Sequence, residues 1–267
     1  MLIRIRHDDN KTYKVVAFAS PCTLTHNMMR KLNFIVALVA SVVLLGSCLR
    51  DGDPQPRLIG GTTFINAFIE ATDVYCYIDR GTISSLNPLP YRSYGPFEPL
   101  YAYPGDRRFE IYSTYQENRL VDTTVTVQDS VFYSSIVYGT HDDPRHFITE
   151  DRIPEGVDDP TAIAAIRFYN LANSDRRMTL RIEGLELPDR FTSRPTETPE
   201  TGKSSEAFIP VATGTYTVSV VDEDGNTVAK RDGTLDLSAG KYVSIFLTGD
   251  ERNPETFYVG RVLHWVN

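Results

Sequence analysis

From about position 58 onward the dominant pattern along the chain is alternation with a period of two. In Val74-Tyr75-Cys76-Tyr77-Ile78 one side carries Val74, Cys76 and Ile78, and the other carries Tyr75 and Tyr77. Thr215-Tyr216-Thr217-Val218-Ser219-Val220 likewise alternates between polar and apolar positions. Successive strand side chains point to opposite faces, so such runs predict strands with one wet face. Asp222-Glu223-Asp224-Gly225-Asn226 follows, and its Asp-Gly supplies the positive φ angles of a tight hairpin. A further strand is expected over 241–248, after the turn Ser238-Ala239-Gly240. Short strands at roughly 8–12-residue spacing, with turns between them, predict a β-sandwich. Nothing in 58–267 has a helical period, so the expected class is all-β.

The pattern occurs twice. Phe64-Ile65-Asn66-Ala67 matches Phe168-Tyr169-Asn170-Leu171, and at the same offset Tyr75-Cys76-Tyr77-Ile78-Asp79 matches Thr179-Leu180-Arg181-Ile182-Glu183. Pro104-Gly105 with Phe109-Glu110-Ile111 parallels Thr213-Gly214 with Tyr216-Thr217-Val218. Phe132, Ser134, Ile136 and Gly139 fall opposite Tyr242, Ser244, Phe246 and Gly249, and Pro144 and Phe147 opposite Pro254 and Phe257. Five matches in one order predict a duplicated unit. The expected organisation is two tandem antiparallel β-sandwich modules of immunoglobulin- or transthyretin-like kind, over 59–152 and 161–267. The stretch 150–160, rich in acids, Pro and Gly, is expected to hold the boundary, with 153–160 as a linker that few core contacts cross.

This order of features resembles the bacterial lipoprotein modules grouped as domain of unknown function 4397. The first copy supplies Phe64-Ile65-Asn66-Ala67, Asp73-Val74-Tyr75-Cys76-Tyr77-Ile78-Asp79, Tyr94-Gly95 and Pro104-Gly105. The second keeps Phe168, Asn170, Gly214 and Tyr216 but lacks the Tyr-Gly segment. The resemblance implies an exported β-sandwich and brings no activity or catalytic residue.

The leader is of a different kind. Arg30 and Lys31 precede an uncharged apolar run from Phe34 to Leu45. That run is too short for a membrane span, which needs about 20 residues, but suits a signal peptide. It ends in Leu45-Gly46-Ser47-Cys48, which resembles the lipobox of bacterial lipoproteins. The small Gly46 and Ser47 let the backbone enter a peptidase cleft. The resemblance implies that cleavage leaves Cys48, carrying diacylglycerol on its thiol, as the new N-terminus, with 1–47 removed. Two or three acyl chains hold stably, at about 0.8 kcal/mol per buried methylene. Residues 1–27 do not fit this signal, and Met28 or Met29 is the expected start. Residues 48–58, polar and rich in Pro and Gly, read as a tether. The acidic Asp51 and Asp53 are similar to signals that send lipoproteins of Bacteroidota to the outer face of the outer membrane; a plain solvated linker accounts for the same residues.

Charge and cysteine content narrow the field. The whole chain carries −8, and removing the six basic and two acidic side chains of 1–47 takes it to −12. A body that acidic is repelled by nucleic acid phosphates, so no nucleic acid partner is expected. Of the three cysteines only Cys76 lies in the folded body, on the apolar side of its strand, where a core residue is expected rather than a nucleophile.

Candidate chemistry is sparse. His141-Asp142-Asp143-Pro144-Arg145-His146 offers two imidazoles and two carboxylates, but around a proline and with no histidine in the matching Asp250-Glu251-Arg252-Asn253-Pro254, so a solvated loop is expected rather than a metal site. The acidic turn at 222–226 is read as a hairpin rather than a calcium loop, which needs about twelve residues and a closing Glu. Trp265 is expected to pin the last strand. The stretch 91–103 packs Tyr91, Tyr94, Phe97, Tyr101 and Tyr103 among Pro and Gly, the material of a rigid surface loop, and Tyr91, Tyr94, Phe97 and Tyr101 are the candidate ligand surface for a glycan or a protein. The matching 195–205 is polar and expected to be mobile. No Gly-x-Ser-x-Gly elbow, His-Glu-x-x-His or glycine-rich phosphate loop occurs. No cofactor and no catalytic set is implied. The expected role is a non-enzymatic envelope lipoprotein, touching membrane through its lipid. The alternatives are an extracellular hydrolase of polysaccharide or peptide, or a subunit of a surface fibre.

Overall fold

Strands make up most of the computed structural model, which describes residues 59–70, 73–82, 88–115, 118–264 and 266. The leader, Cys48, the tether and Trp265 lie outside the described residues. The first half runs β1 (Gly60–Phe68), β2 (Asp73–Ile78), β3 (Gly81–Thr82), β4 (Leu89–Pro90), β5 (Ser93–Ala102), β6 (Gly105–Ser113), β7 (Arg119–Val127), β8 (Phe132–Gly139) and β9 (Pro144–Glu150). The second half runs β10 (Ala164–Asn170), β11 (Thr179–Ile182), the short helix α1 (Pro199–Ser204), β12 (Ile209–Val211), β13 (Gly214–Tyr216), β14 (Val218–Val221), β15 (Thr227–Lys230), β16 (Leu235–Leu237), β17 (Tyr242–Asp250) and β18 (Asn253–His264).

In the first half, an inner sheet β5-β1-β8-β9 faces an outer sheet β3-β2-β6-β7, with β4 also on β2. Phe64, Phe68, Tyr133 and Val137 from the inner sheet meet Val74, Cys76, Phe109, Ile111 and Val121 from the outer one. The second half repeats the arrangement with β12-β10-β17-β18 inside and β11-β14-β15 plus the pair β13-β16 outside. Most pairs are antiparallel, as hairpin turns require. One pair in each half, β1 with β8 and β10 with β17, is parallel. The chain leaves the first strand, crosses to the outer sheet and returns in the same direction, a route no local alternation encodes.

The two inner sheets pack on one another. Ile65, Ala67, Ile136, Tyr138 and Phe147 of the first half form a core with Tyr169, Leu171, Phe246 and Val262 of the second. Each central strand therefore feeds two cores. On β17, Val243, Ile245 and Leu247 point into their own sandwich, while Phe246 points into the shared core. The strands β1, β10 and β17 are buried at every residue. Residues 151–163 carry no strand, but they join halves that touch extensively, so the expectation of few crossing core contacts does not describe this molecule. Residues 58–267 form one compact unit.

The stretch expected to be a mobile loop is part of this contact. Thr198 caps α1, accepting from the Thr201 amide at 3.2 Å, while the Thr201 hydroxyl accepts from the Thr198 amide at 2.8 Å. Gly202 lies flat on Phe147 of the first half; a Cβ there would stand 2.6 Å from the ring. Tyr138 donates to the Glu197 carbonyl at 2.9 Å. Composition alone suggested disorder because the packed face of this segment is backbone rather than an apolar side chain.

Candidate functional site

The outer sheet of the first half presents one wet face. Alternation places Tyr75 and Tyr77 of β2 there, opposite Val74, Cys76 and Ile78 in the core. The same period puts Arg108, Glu110 and Tyr112 of β6 on that face, and a register shift opposite Ile111 and Tyr112 brings both Arg119 and Asp122 of β7 to it. Register completes the rows: Tyr75 pairs with Tyr112 and Tyr112 with Arg119, and Tyr77 pairs with Glu110 and Glu110 with Asp122. Together with Arg80, Arg108, Glu110 and Arg119 the tyrosines line a groove of about 660 Å³, with Asp122 bound to two of its arginines.

The charged groups on its floor are fixed by one another. Arg108 donates from Nε and Nη2 to the two Asp122 oxygens, both at 2.8 Å, and Arg119 Nη1 lies 2.8 Å from Asp122. Arg108 also reaches Glu110 at 3.2 Å, and the Tyr112 hydroxyl donates to the same carboxylate at 3.1 Å. The hydrogen bond from Arg108 holds the Asp122 carboxyl below the usual range. The Tyr77 and Tyr112 rings meet edge to face, with centroids 5.6 Å apart, and Tyr75, Tyr77 and Tyr112 are all half-buried. Half-buried rings with little rotamer freedom, above pre-oriented donors and acceptors, suit a ligand with apolar faces and a hydroxyl rim.

The residues expected to form the ligand surface are not brought together. Residues 93–102 are the edge strand β5, not a loop. The Tyr91 hydroxyl lies 3.2 Å from Thr248 Oγ1 of the second half. Arg92 sits 4.9 Å from the Tyr91 ring and 4.7 Å from that of Tyr258. Tyr94 packs against the shared core. Tyr91 and Tyr94 thus join the halves. The Phe97 side chain lies outside the described residues, and Tyr101 is 64% exposed, beside a separate groove with Leu100, Tyr103 and Arg107. The face that does assemble carried a signal in Tyr75-x-Tyr77 and Arg108-x-Glu110-x-Tyr112. Nothing local says that β2 and β6 are neighbours.

Other candidate chemistry resolves into structure. His146 points to Ser135, 2.9 Å from its Oγ, and burial lowers its pKa to about 4, while His141 packs against Phe68 and Tyr115. Among the described residues no group of three or more His, Cys, Asp or Glu stands where it could hold a metal. Asp222 accepts from the backbone of Asp224 and Asn226 and pairs with Arg176, an occupied turn carboxylate. Cys76 is 1% exposed, and burial pushes its thiol far up, away from the nucleophilic thiolate.

Ser134, His264 and Asp151 meet in the contact between halves. A nucleophilic relay needs serine on one imidazole nitrogen and the carboxylate on the other. Here Ser134 Oγ and Asp151 Oδ2 both lie 3.2 Å from Nδ1, Ser134 donates straight to Asp151 at 2.8 Å, and Nε2 has no partner. All three residues are buried. This is a structural knot, not a catalytic relay.

Neither a protein-family model nor a curated protein sequence matches the chain. Among solved structures it is similar, at 9% identity and a TM-score of 0.23, to CBMbc (family CBM26) from Eubacterium rectale Amy13K in complex with maltoheptaose, over 78% of this chain and 96% of that one. A likeness so slight carries no argument about ligand.

Proposed function

We propose that the chain is a lipid-anchored envelope protein that binds a glycan, without catalysis, on the tyrosine-lined outer face of its first sandwich. The groove formed by Tyr75, Tyr77 and Tyr112 over the Arg108–Glu110–Asp122 floor carries this reading. Sugar rings offer apolar faces for tyrosine and a rim of hydroxyls for fixed charged partners. Hydrolysis has less support, because a general acid must hold its proton near neutral pH, and Asp122 is held low by Arg108.

Binding of a panel of neutral and acidic polysaccharides by the purified full-length protein in detergent, followed by affinity electrophoresis, tests the reading. Tyr77→Ala and Tyr112→Ala are each expected to weaken the interaction by about 3–10-fold, the worth of one aromatic contact of roughly 0.5–1.5 kcal/mol. Full retention by both variants, or no binding to any glycan, would remove the role. The anchor rests on Leu45-Gly46-Ser47-Cys48, outside the described residues. Cells grown with labelled palmitate should label the native chain and not Cys48→Ser; equal labelling of the two would sink the anchor.

A further inference from the structure

The hairpin beside the groove holds an arginine under backbone strain. Ile78 pairs with Gly81, which leaves Asp79 and Arg80 as a two-residue loop. Both are left-handed, at φ 50° and 64°. This geometry favours Asn-Gly, because a Cβ at the second position crowds its own backbone. The second half shows the unstrained solution. At the same repeat offset Gly184 follows Ile182 and Glu183, with φ 83°. The first half keeps an arginine where its own duplicate has glycine.

Among the described residues that arginine has no partner. The neighbouring Asp79 carboxylate is taken by the Arg108 amide at 2.9 Å and by Arg107 Nη1 at 3.1 Å. Arg108 and Arg119 are committed to Asp122 and Glu110. Arg80 is exposed on the groove wall and is neither hydrogen-bonded nor ion-paired among the described residues. Counting Arg80, Arg108 and Arg119 against Glu110 and Asp122, the groove carries one net positive charge, on a chain of net −8. Residues held in sparsely populated backbone regions cluster where a ligand is gripped.

We infer that the ligand is an acidic glycan, and that Arg80 selects it by donating from its guanidinium to a sugar carboxylate or sulfate while the tyrosines stack on the rings. The inference rests on the glycan-binding reading above and adds the charge of the ligand. A planar guanidinium matches either anion with two parallel hydrogen bonds, on a chain whose net charge is otherwise acidic.

Three proteins decide the matter: native chain, Arg80→Gln and Arg80→Gly, all full length in detergent. The probes are polygalacturonate, chondroitin sulfate, a neutral xylan, and polyglutamate as an acidic polypeptide. The native protein should bind one or both acidic glycans at least about tenfold more tightly than xylan, and the preference should shrink as salt rises. Polygalacturonate alone would mark a carboxylate as the group held, and chondroitin sulfate alone, the sulfate. Both variants should lose that preference, about tenfold or more in affinity, as expected for a charge-assisted pair. Arg80→Gly should do so with a melting temperature equal to the native one or up to about 3 °C higher, since it removes the left-handed strain. A merely structural arginine would give the opposite: binding kept and the melting temperature lowered. Equal affinity for xylan in all three proteins would overturn the inference and leave glycan binding standing. Polyglutamate bound as well as the glycans would overturn it in favour of an acidic protein partner. Absence of glycan binding altogether would end both readings.

Discussion

Replacing Arg167 with methionine is expected to lower the unfolding free energy by about 3–5 kcal/mol, the cost of leaving a buried charge without its partner. Arg167 rises from β10 into the contact between the halves and is fully buried. Its Nη2 donates to Asp151 at 2.6 Å and to Ser134 at 3.2 Å, Nε to Ser244 at 2.6 Å, and Nη1 to the Glu206 carbonyl at 3.1 Å. The guanidinium also lies 4.3 Å from the Phe208 ring. Burial by itself would push the Asp151 carboxyl up; Arg167, His264 and Ser134 together outweigh it and hold it down to about 2. Without Arg167, that carboxylate keeps the desolvation and loses the largest compensation. The double variant Arg167→Met with Asp151→Leu should recover much of the loss, because it removes both charges at once. Urea unfolding followed by tryptophan-independent circular dichroism reads both. A single-variant cost under about 1 kcal/mol would mean that the halves do not close over this pair.

The second large effect is expected at a pair of glycines in matching places. Gly139 ends β8 with φ 89°, and a Cβ there would stand 2.3 Å from the Asp143 carbonyl oxygen. Gly249, within β17, has φ 131°, and its Cβ would stand 2.6 Å from Cα of Phe257. In both, the obstacle is backbone, which cannot swing aside as a side chain can. Gly139→Ala and Gly249→Ala should each cost about 2–4 kcal/mol, left-handed strain plus overlap. Gly225→Ala supplies the contrast. Gly225 also has positive φ, 82°, but nothing lies within 4 Å of its Cβ position, so about 1 kcal/mol is expected. Thermal melts of the three variants separate the two contributions, and equal costs at all three sites would refute the crowding.

These two glycines also mark how far the sequence could be read. Their equivalence, and that of Phe132 with Tyr242 or Ser134 with Ser244, lies in the order of residues, because a turn that demands glycine leaves the same letter in both copies. The side of β2 on which Tyr75 and Tyr77 fall was equally legible, since pleating sends alternate residues to opposite faces. The aromatic stretch at 91–103 misled for a physical reason. Tyrosine suits a ligand surface and a half-polar core equally, and the Thr248 side chain that Tyr91 meets comes from 157 residues away.

Legible from the order of residues, therefore, were the all-β class, the wet and dry sides of β2, the glycine-bound turns and the duplication, but not the edge strand β5 or the break at Thr217 that divides 215–220 between two sheets. Tertiary packing settles what lies against each side. Arg167 sits in an otherwise apolar run, and nothing local distinguishes a residue facing water from one facing the buried Asp151. Tyr77 and Tyr112 become one site because β2 and β6 pair although residues 79–104 lie between them. Local periodicity is a property of one strand's backbone. Neighbours, and with them the groove and the buried pair, come from closing long loops around shared cores, and that choice is made by the whole chain at once.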